Sequence, residues 1–136
     1  MYKTEELCRT VIERLTNKYF PTCRPVFLQN PRTGRNLEFD GYNHELKIAF
    51  ERQGEQHYEY NTGRSLFKDK YINGALHKTG FQQWKEQIQR DIYKQTVCRV
   101  LGIELIIIPP QVKTEEQITL FITEHLKKKN LNFNKY

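Results

Sequence analysis

Three cysteines, Cys8, Cys23 and Cys98, stand in a chain of 136 residues. None forms a Cys-x-x-Cys spacing. An odd count builds no disulfide framework, and without paired spacing there is no zinc-ligand pattern. Cys8 and Cys98 fall on apolar helical positions and read as core residues with reduced thiols. Long hydrophobic runs are lacking too: the longest, Ile103 to Pro110, is interrupted by Glu104 and is far shorter than the about 20 residues a membrane span needs. The opening Met1-Tyr2-Lys3-Thr4-Glu5-Glu6 carries no apolar signal region. Internal repeats, a glycine-rich phosphate loop and a serine nucleophile motif are absent. These absences lead to the expectation of a soluble, intracellular protein with no membrane partner.

What is present suits one folded domain spanning 1–136. Hydrophobic residues make up 38% and aromatics 12%, while 28% charged residues leave the core thin. A thin core keeps a homodimer or stabilisation by a ligand open. The formal net charge of +6 favours a polyanionic partner, because basic surfaces attract phosphate backbones.

The most informative stretch is 37–58, which reads as strand, turn and strand. Side chains alternate along a strand, so Glu38 and Asp40 share one face while Leu37 and Phe39 take the other. On the second strand Ala49, Glu51 and Gln53 share a face opposite Ile48 and Phe50. Paired as a hairpin, these strands bring acids and an amide to one end of a sheet with an apolar back. Such a cluster is costly unless repulsion and desolvation are offset, and a divalent cation does this. An amphipathic hairpin with a solvated polar face is the other reading of the same pattern.

The spacing Asp40, ten residues, Glu51, one residue, Gln53 resembles the PD-(D/E)XK nuclease superfamily of restriction-endonuclease-like fold. It is most similar to the branch of very-short-patch repair and homing endonucleases, including compact forms encoded by large DNA viruses. The matching pieces, in order, are Glu5-Glu6-Leu7-Cys8-Arg9; Asn30 to Asn36 leading into Asp40; Glu51 to Tyr58; and Arg90-Asp91 with Lys94 and Cys98, running into Gly102 to Pro109. No Pro precedes Asp40, and the superfamily's Lys position is Gln53, a residue with which some restriction enzymes of this fold work.

The resemblance implies an α/β fold, a central mixed β-sheet flanked by helices, and a magnesium-dependent DNA endonuclease of repair, recombination or DNA processing, with manganese able to substitute. It implies that Asp40, Glu51, the backbone carbonyl of Arg52 and Glu5 hold the metal. Gln53 then orients the attacking water, and His57 or Lys94 assists proton transfer or phosphate binding. Two alternatives stay open: a catalytically inactive nucleic-acid-binding module on the same fold, invited by Gln53, and a dimeric Holliday-junction-type resolvase.

The remaining chain is read in order. A helix over 4–18 has Thr4 as N-cap, Glu5 and Glu6 at its positive end, and Leu7, Val11, Ile12 and Leu15 on its apolar face. Those glutamates either serve the helix start alone or reach the metal site. A short strand is expected at Val26 to Leu28. The Asn30-Pro31-Arg32-Thr33-Gly34 turn then holds Arg32 and Arg35 near the hairpin, as a phosphate clamp or as a solvated basic turn. Residues 59–80 read as a long irregular loop. Arg64, Lys68, Lys70 and Lys78, interleaved with Tyr60, Phe67 and Tyr71, suit a nucleic-acid backbone.

A helix from Phe81 to Leu101 should bury Trp84, Ile88, Ile92, Val97, Val100 and Leu101, with Gly102 ending it. Asp91 and Lys94 share a side of that helix, as a surface ion pair or as a replacement for the charge that Gln53 lacks. Ile103 to Ile108 reads as a strand buried on both faces. Thr114 to Gln117 forms a capping box before a last helix with Ile118, Ile122 and Leu126 inside and Lys127 to Lys129 at its end. Residues 130–136 read as a frayed tail.

Overall fold

The computed structural model describes residues 2–54 and 69–129. The chain forms two compact units, Met1–Gln53 with Val97–Tyr136, and Gly54–Thr96. The architecture is α/β.

In the first unit, helix α1 (Tyr2–Thr16) buries Cys8, Val11 and Ile12, the spacing of one helical face. It starts before Thr4, which therefore lies inside the first turn and is no N-cap. Asn17 ends it in the left-handed region at φ 56°. Two strands follow, β1 (Gly41–Asn43) and β2 (Ile48–Arg52), antiparallel, with Gly41 opposite Phe50 and Asn43 opposite Ile48. The Asn43 side chain shapes the connection, accepting from the Leu46 N–H at 2.8 Å and donating to the Tyr19 carbonyl at 3.1 Å.

The second unit contains β3 (Lys70–Ile72) and β4 (Ala75–Lys78), paired antiparallel. Helix α2 (Gly80–Leu101) starts there and its last turn belongs to the first unit. Thr79 and Gln82 cap its start reciprocally, Gln82 N–H to Thr79 Oγ1 at 3.0 Å and Thr79 N–H to Gln82 Oε1 at 2.8 Å. At its end Gly102 takes φ 72°, and the Ile103 N–H reaches back to the Cys98 carbonyl at 2.8 Å. That glycine-centred closure satisfies carbonyls the last turn would otherwise leave open.

Strand β5 (Glu104–Ile108) returns parallel to β2, giving a mixed three-stranded sheet in the order β1-β2-β5. Helix α3 (Glu115–Lys128) opens on the full Thr114/Gln117 capping box. Ile48, Phe50, Ile106 and Ile108 face α1 and the Ile118, Ile122 and Leu126 side of α3, forming one continuous core. Among the described residues no helix is long and apolar enough to cross a membrane.

Several expectations change. Val26–Leu28 is a 3-10 turn, not a strand, burying Leu28 while Val26 stays 84% exposed. β5 is not buried on both faces: Ile106 and Ile108 are inside, but Leu105 and Ile107 are only half-buried, because the two helices cover one face with the core. On α2, Ile92, Val100 and Leu101 are exposed and Cys98 is the residue turned inward. Residues 70–78 are a hairpin rather than irregular loop, closed by Asn73-Gly74 with φ of 53° and 81°. That dipeptide favours a two-residue hairpin turn because both residues tolerate positive φ.

The close approach at Gly41 fixes the first hairpin against α1's exit. A β-carbon there would overlap the Phe50 ring and come within 2.8 Å of the Phe20 carbonyl oxygen. Both phenylalanines are fully buried. Gly41→Ala should therefore destabilise the fold by about 2–4 kcal/mol, read as a lowered urea midpoint with the slope unchanged.

Candidate functional site

Extending the β1–β2 register by one pair beyond Gly41 and Phe50 puts Asp40 opposite Glu51. The pairing is made by hydrogen bonds that cross between main chain and carboxylate. The Asp40 N–H donates to Glu51 Oε2 at 3.0 Å, and the Arg52 N–H donates to Asp40 Oδ2 at 2.7 Å. Each carboxylate thus replaces a ladder carbonyl, and one oxygen of each is fixed. Asp40 sits at a bend just before β1, and Glu51 lies next to the end of β2; both are half-buried. Gln53 follows on the same face as Glu51, with its N–H bonded to the Ile108 carbonyl at 3.0 Å, so it continues the β2–β5 ladder.

Two arginines surround this pair. Arg9, one helical turn after Glu5, has a side chain only 14% exposed. Its Nε donates to the Phe20 carbonyl at 2.9 Å. Its Nη2 reaches Glu5 at 3.2 Å, Thr22 Oγ1 at 3.1 Å and the Asp40 carbonyl, while Nη1 pairs with Glu6. The guanidinium also lies over the Phe50 ring, 5.6 Å from its centroid. Arg52 projects to the other side of its strand, donating to the carbonyls of Pro109 at 2.9 Å, Pro110 at 3.2 Å and Val112. Its guanidinium therefore closes the turn after β5.

Glu5, Asp40 and Glu51 are thus joined through Arg9 and the hairpin main chain. Among the described residues no group of three His, Cys, Asp or Glu side chains is arranged to hold a metal ion. The donor chemistry at the strand ends nonetheless suits a hard cation: carboxylate oxygens are the ligands magnesium takes, with water completing the shell. The Glu5 carboxylate is engaged by Arg9.

The other candidates are distributed. Glu38 pairs with Arg24 at 3.2 Å. Bridges from Cys23 to Phe39 and Gln29 to Asn36 make residues 23–39 an irregular ribbon. Its tip is the expected turn, with Gly34 at φ 75° and the Arg32 N–H on Asn30 Oδ1 at 2.9 Å. Arg32 and Arg35 are exposed at that tip. In the second unit Lys70 and Lys78 face each other across β3 and β4, with Lys78 held by Glu86 at 2.8 Å. Lys94 lies on α2 in that unit, and Asp91 accepts from Gln87 at 3.1 Å. His57, Arg64 and Lys68 lie outside the described residues, as does the tail 130–136.

Arg9 and the Arg52 side chain carry roles that sequence reasoning missed. The spacing of Glu5 to Arg9 was a visible helix pair, but the Asp40 carbonyl that Arg9 also meets is distant in sequence. Burial first, and then the fields of Asp40 and Glu5, push the Cys8 thiol up to about 11, with Arg52 pulling the other way. Cys8 is therefore a neutral core residue beside the carboxylates.

The chain is similar to the uncharacterized protein 094L of Frog virus 3 (isolate Goorha), 42% identical over 114 residues covering 84% of this chain and 66% of the relative. It is also similar to the uncharacterized protein 033L of Invertebrate iridescent virus 3, 33% identical over 126 residues, 93% of this chain and 57% of that protein. A third relative, the uncharacterized protein 307L of Invertebrate iridescent virus 6, is 31% identical over 99 residues, 69% of this chain and 44% of its own length. The chain thus spans between 44% and 66% of the length of these relatives. No family model and no solved structure matches it.

Removing Arg9 strands the Phe20 carbonyl, leaves the Asp40 carbonyl with the Thr22 hydroxyl alone and takes from Glu5 its cation. Arg9→Met should cost about 2–4 kcal/mol in urea unfolding, and Arg9→Lys should recover only part of that, since an ammonium lacks the planar fork. The Cys8 thiol keeps its proton longer in the folded chain, with a pKa of about 11 against an ordinary 9.0. Its contribution to stability is intact below pH 9.0 and is lost as pH rises through about 11. Urea midpoints measured from pH 8 to 11 should fall, and less steeply in Cys8→Ala.

Proposed function

We propose that the chain is a metal-dependent endonuclease acting on DNA. The observation that carries this reading is the Asp40–Glu51 pair: two half-buried carboxylates opposed at the end of a hairpin, each with one oxygen fixed by a main-chain N–H. Net positive charge and the resemblance to the PD-(D/E)XK superfamily support it. The similar proteins all come from viruses, and we place the activity in viral DNA repair, recombination or processing inside the infected host.

In this reading Asp40, Glu51 and the Arg52 carbonyl hold magnesium or manganese. The bound ion supplies a water of lowered pKa and charge stabilisation for in-line attack on a phosphodiester. The chain's own groups do the positioning. The Arg52 N–H orients Asp40, the Asp40 N–H orients Glu51, and Arg9 holds Asp40 and Glu5 to α1. Gln53, on the Glu51 face, orients the attacking water, and His57 and Lys94 are assigned proton transfer or phosphate binding. Glu5 serves as a further carboxylate. Gln53 in place of Lys favours a second reading, an inactive nucleic-acid-binding module; a homodimeric resolvase is a variant of the first.

Purified protein incubated with supercoiled plasmid should nick or linearise it with magnesium or manganese and not with chelator. Glu51→Ala should reduce the rate by more than about 100-fold. Salt-sensitive DNA binding without cleavage, on plain, mismatched and branched duplexes alike, would establish the binding module instead.

A further inference from the structure

The hairpin of the second unit has a built root and an uncovered blade. At the root, the Gly80 N–H donates to Asp69 Oδ1 at 2.7 Å, and Lys78 donates to Glu86 at 2.8 Å. These bonds tie both strands to the first turns of α2. Beyond them Lys70 faces Lys78, Tyr71 faces Leu76 and Ile72 faces Ala75, around the Asn73-Gly74 turn. Tyr71 is 61% exposed, Leu76 52% and Ile72 47%. A two-stranded ribbon is marginal in water unless something packs on it, and this one leaves Tyr71 and Leu76 open on one face and Ile72 on the other, large apolar side chains of the kind that mark a binding surface.

Charge decides the occupant. Lys70 and Lys78 are directly opposed, an arrangement that costs stability by repulsion. Glu86 takes up Lys78, while Lys70 is turned to solvent. A polyanion relieves the repulsion, and an apolar protein groove does not. We propose that this hairpin is a ribbon that enters the major groove of B-form DNA. Two strands about 4.8 Å apart, with their side chains, fit a groove about 12 Å wide. Lys70 meets phosphate at the groove wall. Tyr71 and Leu76 share one face and meet the base edges, where the thymine methyl offers apolar contact. The major groove of A-form RNA is too narrow for such a ribbon, so shape selects duplex DNA. This inference deepens the nuclease reading and rests on it for the class of ligand.

The test is fluorescence anisotropy with the full chain, in chelator so that no cleavage occurs, on DNA and RNA duplexes of one sequence over a salt series. Wild type should bind the DNA duplex at least about tenfold tighter than the RNA duplex. Lys70→Ala should lower the slope of log affinity against log salt by about one. Tyr71→Ser should weaken binding about tenfold with an unchanged melting temperature. Variants that bind as wild type does, or equal affinity for RNA, overturn the ribbon. Hairpin-dependent binding with no plasmid cleavage leaves the ribbon standing and removes the nuclease; cleavage with unaffected hairpin variants does the reverse.

Discussion

The first unit depends on one half-buried cation. Arg9 leaves α1 and meets the Phe20 carbonyl, the Asp40 carbonyl, Thr22, Glu5 and the face of Phe50. No lysine could do this, because only a planar fork offers several fixed donors at once. The consequence is that the segment leaving α1 and the strand entering the sheet are held to one helix turn. Asp40 is then fixed at its carbonyl by Arg9 and at its carboxylate by the Arg52 N–H. A carboxylate constrained at both ends loses little freedom on meeting a ligand, which is the property a preorganised site needs.

The same corner explains why so little space is left around the hairpin. Gly41 lies against the Phe50 ring and the Phe20 carbonyl, and Phe20 and Phe50 rings stand 6.5 Å apart. Arg9 covers the Phe50 ring from the α1 side. Apolar packing, a glycine and a guanidinium thus share one task, which is to seat the strand that carries Asp40. Cys8 belongs to this arrangement as filler: its thiol stays protonated because burial in the helix–sheet seam outweighs the pull of Arg52.

The second unit follows another logic. Its hairpin is built from a strong local turn and is rooted by the Gly80 N–H and the Glu86 side chain of α2. Its exposed tyrosine, isoleucine and leucine are not explained by packing among the described residues.

Local physics was legible without a structure. The apolar period of α1 and α3, the Thr114–Gln117 box, the stop at Gly102 and the alternation of Ile48, Phe50 and Glu51 all follow from backbone geometry over a few residues. Asp40 and Glu51 were paired from spacing alone, because a hairpin leaves few registers. Other features rest on contacts distant in sequence. Arg9 meets Asp40 and Phe20, both distant from it in sequence. Arg52 was valued for its carbonyl, while its side chain closes the turn after β5. Sequence determined the elements and the carboxylate pair; tertiary structure decided which charges neutralise which, since that depends on distances through space that no local period encodes.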